Sequence, residues 1–562
     1  MSQRWQDLVA DKRRRQQESI PREWLIPIPP DTVLDVTAVP EQCGLLTARE
    51  VGITNTVDIG VLLHKLATAE WSAVEVTTAF YKRAIVAHQL VNCLTEIFVE
   101  RALARAKELD EHLRTTGKVV GPLHGLPISL KDQLCMEGLE TTMGYVSWIG
   151  KYADKNAVLV DILYECGAVP FVRTNVPQTL MWPETYNLIF GRTVNPANRS
   201  LTCGGSSGGE GALIHLKGSP LGVGSDIGGS IRIPALFNGL YSLRPSYGRM
   251  PYEGAVNSMY GQDSIPSVLG PLSNSLSGVK TFVQAVLNQS PWNKDPLCVR
   301  KKWDDEAYAL SEHGGGKQLC FAILWNDGIV VPHPPIIRAL EMTRDALLAA
   351  GHKVIDWKPI RYLELGNAIS AIWKAGAAED YQVTTASTGE PVISTMSILE
   401  GVGEPDSSVR PDPAGISAYA LWQIQKARAD LRKEYLDHWQ KTAEVTGTGR
   451  PVDAIISPGA PFVATPHGRN NYTNYTKVLN ALDYPAATFP VTKVNLDLDA
   501  KKPAHQFLSE TDEATYNWYE PTLFQNAPVA LQIIGRTLED EAVIAMAEIV
   551  DAALKAKAKA AL

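Results

Sequence analysis

The stretch from Cys203 to Arg232, CGGSSGGEGALIHLKGSPLGVGSDIGGSIR, constrains this chain more than any other. It holds two glycine-framed serine clusters, Gly204-Gly205-Ser206-Ser207-Gly208-Gly209 and Asp226-Ile227-Gly228-Gly229-Ser230. Glycine brings no side chain to a core and loses more backbone freedom on folding than any other residue. Such runs suit a place where backbone N–H groups must approach a ligand closely. An oxyanion hole is one such place, because its donors stabilise charge developing on a carbonyl oxygen. A pair of flexible loops, or a phosphate-cradling nest, would use the same residues differently. Neither GxxxxGK(S/T) nor GxGxxG occurs in the stretch, which argues against the nucleotide-binding forms of that nest.

Upstream, Gly125-Leu126-Pro127-Ile128-Ser129-Leu130-Lys131-Asp132 places a lysine at the end of a short apolar run that reads as a buried strand. A lysine there must be paired or be made partly neutral by desolvation. Neutral, it can serve as general base toward a serine. Paired, its nearest candidate partner is Asp132.

Three segments together, GLPISLKD, CGGSSGGEGAL and GSDIGGSIRIPA, resemble the amidase signature family. Outside that core the chain is similar to the fungal acetamidase or general amidase branch, and the core itself is similar to fatty acid amide hydrolase. The likeness runs from about Arg22 to the C-terminus and is densest from Gly121 to Gly248. It implies one continuous domain, with a large twisted mixed β-sheet covered by α-helices on both faces. It also implies hydrolysis of linear amides by a Ser–cisSer–Lys triad through an acyl-enzyme, with no metal or organic cofactor. Matched residue by residue, the nucleophile is Ser230, the bridging serine after a cis peptide is Ser206, and the base is Lys131. The 24 residues from Ser206 to Ser230 match the family's usual spacing, which favours Ser206 over Ser207. The resemblance assigns the oxyanion hole to the backbone N–H groups of Ile227, Gly228, Gly229 and Ser230. It puts Leu180 and Met181 in the substrate pocket and leaves Ser207 as an auxiliary hydrogen-bonding residue. Asp226 and Arg232 flank the nucleophile, and a mutual salt bridge holding the loop is preferred for them over a catalytic role. Two other functions remain open here. One is the glutamine-hydrolysing A subunit of a tRNA-dependent amidotransferase, against which the N-terminal arm and long insertions weigh. The other is a scaffold without catalysis.

Composition narrows the partners. The net charge of −8 gives no support for nucleic-acid binding, which usually needs a basic surplus. Hydrophobic residues at 45% and charged ones at 20% describe an ordinary soluble globular protein, and strands alternating with helices along the chain argue for an α/β layer fold. The opening MSQRWQDLVADKRRRQQESI lacks the apolar core of a secretory signal, and no window is apolar for the ~18 residues a membrane span needs. A cytoplasmic protein acting on a small-molecule amide is expected. The seven cysteines, Cys43, Cys93, Cys135, Cys166, Cys203, Cys298 and Cys320, show no CxxC pair and read as reduced thiols. Cys203 is a poor candidate nucleophile beside Ser206 and Ser230. The histidines make no HExxH pattern, and His124 and His215 read as structural.

Residues 1–40 read as a helix and a proline-rich arm that buries Trp24, Leu25 and Ile26 against the remaining 41–562 catalytic domain. A homodimer contact is the arm's other use. Helices are expected at 58–66, 72–88 (capped by Ser72) and 99–115 (closed by Gly117). A helix and strand fill 157–174, and a loop carries Leu180 and Met181. Residues 255–271 are rich in Gly, Ser and Pro. A βαβ unit follows at 320–357, then a loop or lid at 400–415 and a long helix at 418–441. A strand at 454, a helix–strand pair over 476–492, a charged insertion at 495–521 and a final strand and helix close the chain. The soft signal of a boundary near residue 300 is set aside in favour of one domain.

Overall fold

The computed structural model describes residues 4–397 and 415–560. Of the 400–415 loop or lid, only Gly415 is therefore among the described residues. Eleven strands form one mixed sheet. Across it they run Leu94–Ile97, Val169–Thr174, Pro127–Lys131, Leu221–Asp226, Val268–Ser273, Tyr241–Arg244, Ala486–Lys493, Pro528–Ile534, Ala454–Ser457, Cys320–Ile323 and Lys353–Asp356. Pro127–Lys131 is parallel to both neighbours, and so is Cys320–Ile323 near the far edge. The other pairs are antiparallel. Ala486–Lys493 pairs directly with Tyr241–Arg244, so both halves of the sequence share one sheet and no boundary falls near residue 300.

Alternation along the strands shows that both faces are covered. Phe321 and Ile323 pack with Ile336, Leu340, Val543 and Met546, which belong to the helices Pro334–Ala349 and Asp540–Ala560. Cys320 and Ala322 join a separate cluster with Leu365, Ile369, Trp439 and Leu479. Those residues come from the helices Tyr362–Lys374, Ala418–Lys441 and Asn474–Leu482. Successive side chains of a strand point to opposite faces, so each face needs its own cover.

Local signals placed most helices. Ser72 accepts the Glu75 N–H and starts Ala73–Val91, and Val76, Phe80 and Ile85 of that helix are all buried. Gly117 ends Val99–Thr116 in the left-handed region at φ 66°. Three central strands were not anticipated: Leu221–Asp226, Tyr241–Arg244 and Val268–Ser273. The first and last of these carry glycines, which argue against a strand on propensity, but each glycine makes room for a close neighbour. A Cβ on Gly222 would lie 1.9 Å from Glu210 Oε2, and one on Gly270 would lie 2.2 Å from the Leu243 carbonyl.

The arm binds as expected in outline but not in every side chain. Trp24 is buried and Ile26 half-buried, whereas Leu25 is 47% exposed. Leu25 has extended backbone, which turns it away from the side its two neighbours face. The preceding helix, Trp5–Glu18, is clamped by Lys12, which is buried and bonds both Glu96 and Glu140. Arg15 reaches Glu140 as well. Removing one partner of a buried pair leaves an uncompensated charge. Lys12→Ala is therefore expected to destabilise the protein by about 3 kcal/mol, read as a lower urea midpoint, while Arg14→Ala on the exposed face of the same helix leaves the midpoint nearly unchanged.

Candidate active site

Lys131 is the last residue of the Pro127–Lys131 strand and is wholly buried. Its Nζ lies 2.7 Å from Ser206 Oγ and 2.8 Å from Ser225 Oγ. The Gln133 amide donates to Tyr252 Oη and to the Val256 carbonyl, which turns its Oε1 toward Ser225. Ser225 Oγ donates to that Oε1. With its proton committed there, Ser225 can only accept from Lys131. The amine's lone pair, when the amine is neutral, is then available to the Ser206 hydroxyl.

Asp132 does not pair with Lys131. As the next residue along it faces the other way, where it accepts from Thr95 Oγ1 and from the N–H groups of Thr142 and Met143. Burial brings Lys131 down to about 7, against the opposing pull of Asp226 and Glu210. Burial likewise pushes Glu210 up to about 8, only partly offset by hydrogen bonds from Ser129 and Thr174.

The Gly205–Ser206 peptide is cis. Gly205 lies so near the chain at Glu184 that an added Cβ would sit 2.6 Å from its backbone. Ser207 faces the sheet, where its Oγ accepts the Ser225 N–H at 3.3 Å, and its N–H donates to the Ser230 carbonyl at 3.2 Å. The two serine clusters are thus stitched together. Ser206 and Ser230 themselves share no direct hydrogen bond among the described residues.

Asp226 and Arg232 form the expected salt bridge, at 3.0 Å and fully buried. Burial pushes the Asp226 carboxyl up, but Arg232 and the hydrogen bond from Asn480 outweigh it and hold the group at about 2. Asp226 also accepts the N–H groups of Gly229 (2.8 Å) and Ile231 (3.2 Å), which folds the turn carrying Ser230 back on the carboxylate. The Gly229 N–H, expected as an oxyanion donor, is therefore already engaged. Among the described residues the N–H groups of Ile227, Gly228 and Ser230 have no such acceptor. Gly229 has φ 130°, which a side chain would strain, and a Cβ there would meet Thr476 Oγ1 at 2.4 Å.

Ser230 is 9% exposed and lines a cavity of about 70 Å³ with Leu180, Met181, Ile227, Gly228 and Trp373. His124 and His215 stand apart, the first accepting the Val120 N–H and the second bonded to the Asn238 carbonyl. Cys203 is buried, and burial pushes its thiol up to about 12, unsuited to nucleophilic attack. No group of three or more His, Cys, Asp or Glu suited to a metal ion occurs among the described residues. No helix there is long and apolar enough to cross a membrane.

Sequence reasoning missed Gln133, Ser225, Glu210 and Trp373. Gln133 was not legible from strand alternation, because the strand ends at Lys131 and the chain turns there, the Leu134 N–H donating to the Lys131 carbonyl. Glu210 offered only an acid inside an apolar run. Trp373 carried no local signal at all.

Comparison with known proteins agrees with this geometry. The family model described as Amidase matches residues 75–544. The acetamidase of Aspergillus oryzae is 44% identical over 549 residues, covering 97% of this chain and 98% of that protein. The acetamidase of Emericella nidulans is 42% identical over 553 residues, covering 98% of each. The solved structure of a fatty acid amide hydrolase superposes with a TM-score of 0.88 at 32% identity, covering 98% of this chain and 95% of that one. A match of this extent, over a chain whose buried lysine is hydrogen-bonded to one serine cluster and whose two serine clusters are stitched together, makes the protein a member of the amidase signature family, a hydrolase acting on amides.

Proposed function

We propose that the chain hydrolyses short-chain carboxamides to the acid and ammonia or amine through an acyl-enzyme on Ser230. One observation carries this reading: a lysine wholly buried, brought to about 7, and hydrogen-bonded to a serine in the segment stitched to Ser230. Neutral Lys131 takes the Ser206 proton as Ser206 takes that of Ser230, and Ser230 Oγ attacks the carbonyl carbon. The developing oxyanion is met by the N–H groups of Ile227, Gly228 and Ser230, and losing one such donor typically costs about 2.7–4 kcal/mol of barrier. The proton returns through Ser206 to the leaving nitrogen as the C–N bond breaks. Water then attacks the ester, Lys131 and Ser206 again holding the proton in transit, and the acid leaves. The small cavity at Ser230 and the full-length likeness to acetamidases support a short acyl group.

Two outcomes check the assignment. Ser206→Ala is expected to lower kcat by roughly 10²–10⁴, the range of a positioned proton-transfer group. Ser207→Ala, which removes two long hydrogen bonds to the Ser225 backbone, is expected to cost about tenfold. Reversed losses in steady-state kinetics on acetamide would exchange the two roles.

The second outcome concerns pH. Protonation removes the base, so wild-type kcat/KM for amides falls as pH drops below about 7 and is level above it. Lys131→Ala abolishes that limb and depresses amide turnover more than turnover of an activated ester, whose leaving group needs no proton. A folded Lys131→Ala protein that keeps the limb and the amide-to-ester ratio would overturn Lys131 as base.

A further inference from the structure

Two cavities meet at Trp373. The inner one, about 70 Å³, holds Ser230 and Gly228. The outer one, about 680 Å³, is a groove between the loop Met259–Ser264 and residues such as Ala375, Asp380, Val383 and Leu421. Trp373 is the one described residue that lines both. It stands at the end of the Tyr362–Lys374 helix, and its ring lies against the nucleophile turn, where a Cβ on Gly228 would sit 2.6 Å from Cη2. The indole Nε1 is buried and without a hydrogen-bond partner among the described residues. Packing alone therefore holds the ring in the wall.

The inner volume is far below the roughly 300–1,000 Å³ that a drug-sized ligand occupies, whereas the outer one is within that range. A long acyl chain on Ser230 would have to pass through the space the indole fills. We propose that Trp373 sets the acyl length this enzyme accepts, closing the inner pocket around a group of a few carbons and shutting it off from the groove. The groove would then receive the remainder of a longer chain once the ring is removed. This rests on the reading of Ser230 as nucleophile. It adds to that reading the residue that decides the substrate's size.

The test is a series of primary amides from acetamide to decanamide, assayed on the full-length wild type, Trp373→Ala and Trp373→Phe. Wild-type kcat/KM is expected to fall steeply with chain length. Trp373→Ala raises the octanamide-to-acetamide ratio by at least about tenfold, because each buried methylene discriminates by roughly 10-fold or more. Trp373→Phe, the smaller change to the packing, falls between and guards against a misfolded alanine variant. A parallel arm compares labelling rates of an ethyl and a dodecyl fluorophosphonate, with the modified residue located by mass spectrometry. The dodecyl-to-ethyl ratio is expected to rise in both variants. Unaltered ratios in folded variants, or a wild type that takes octanamide as readily as acetamide, would overturn the role of Trp373. Labelling at a residue other than Ser230 would instead overturn the nucleophile, which the two arms keep separate.

Discussion

The buried ion pair between Asp226 and Arg232 is the interaction on which the rest of the site depends. Both side chains are fully shielded from water, and two isolated charges there would be prohibitive. They are tolerated because every direction is answered. Asp226 accepts from Arg232, Asn480, Gly229 and Ile231. Arg232 also donates to the Thr476 carbonyl, to Gln532 Oε1 and to Asn480 Oδ1. Gln532 in turn donates to Ser457 Oγ and to the carbonyls of Pro458 and Tyr475. The turn carrying Ser230 is thereby tied to the C-terminal half of the sheet, and Thr476 Oγ1 donates to the Gly228 carbonyl at 2.8 Å. A pair of this kind costs about 3–5 kcal/mol when one partner is lost. Its use here is to hold the turn in one conformation, in which the N–H groups of Ile227, Gly228 and Ser230 have no acceptor among the described residues.

A second burial acts in the opposite sense. Asp226 keeps its charge because Arg232 touches it, whereas Lys131 has no carboxylate in contact and meets only hydroxyl groups. Desolvation then decides, and the amine sits at about 7. Glu210, similarly deprived of a cationic contact, is pushed up to about 8 by burial. The site thus contains an acid and an amine whose ionisation is poised near neutrality, a few residues from a carboxylate that stays charged. Contact with a guanidinium, rather than depth of burial, separates the two outcomes.

The glycines around the serines serve packing as much as chemistry. Gly205 lets the bridging segment lie on the backbone at Glu184, and Gly228 gives the Trp373 ring its place. At Gly204, with φ 80°, and at Gly229, with φ 130°, the conformation itself is also a reason for glycine. The oxyanion reading of these runs and the close-packing reading therefore apply to the same residues. The turn can present its N–H groups because its neighbours fit where side chains would have been.

The sequence by itself determined the elements whose causes are local. Helix ends at Ser72 and Gly117, the βαβ unit from Cys320 to Asp356, the long helix Ala418–Lys441 and the buried strand ending in Lys131 all follow from capping, periodicity and apolar runs within a few residues. The candidate triad was legible through the resemblance of three segments to the amidase signature family, whose usual spacing between the two serines selected Ser206. The strands Leu221–Asp226 and Val268–Ser273 were not, because their glycines are answered by Glu210 and by the Leu243 carbonyl, contacts no local window contains. Tertiary structure alone decided which neighbour Lys131 meets, that burial brings it down to about 7, that Gly229 is engaged by Asp226, and that Trp373 walls the pocket. Desolvation and long-range contact come into being only when segments distant in the chain are packed together, so the residues specify them jointly and no stretch specifies them alone.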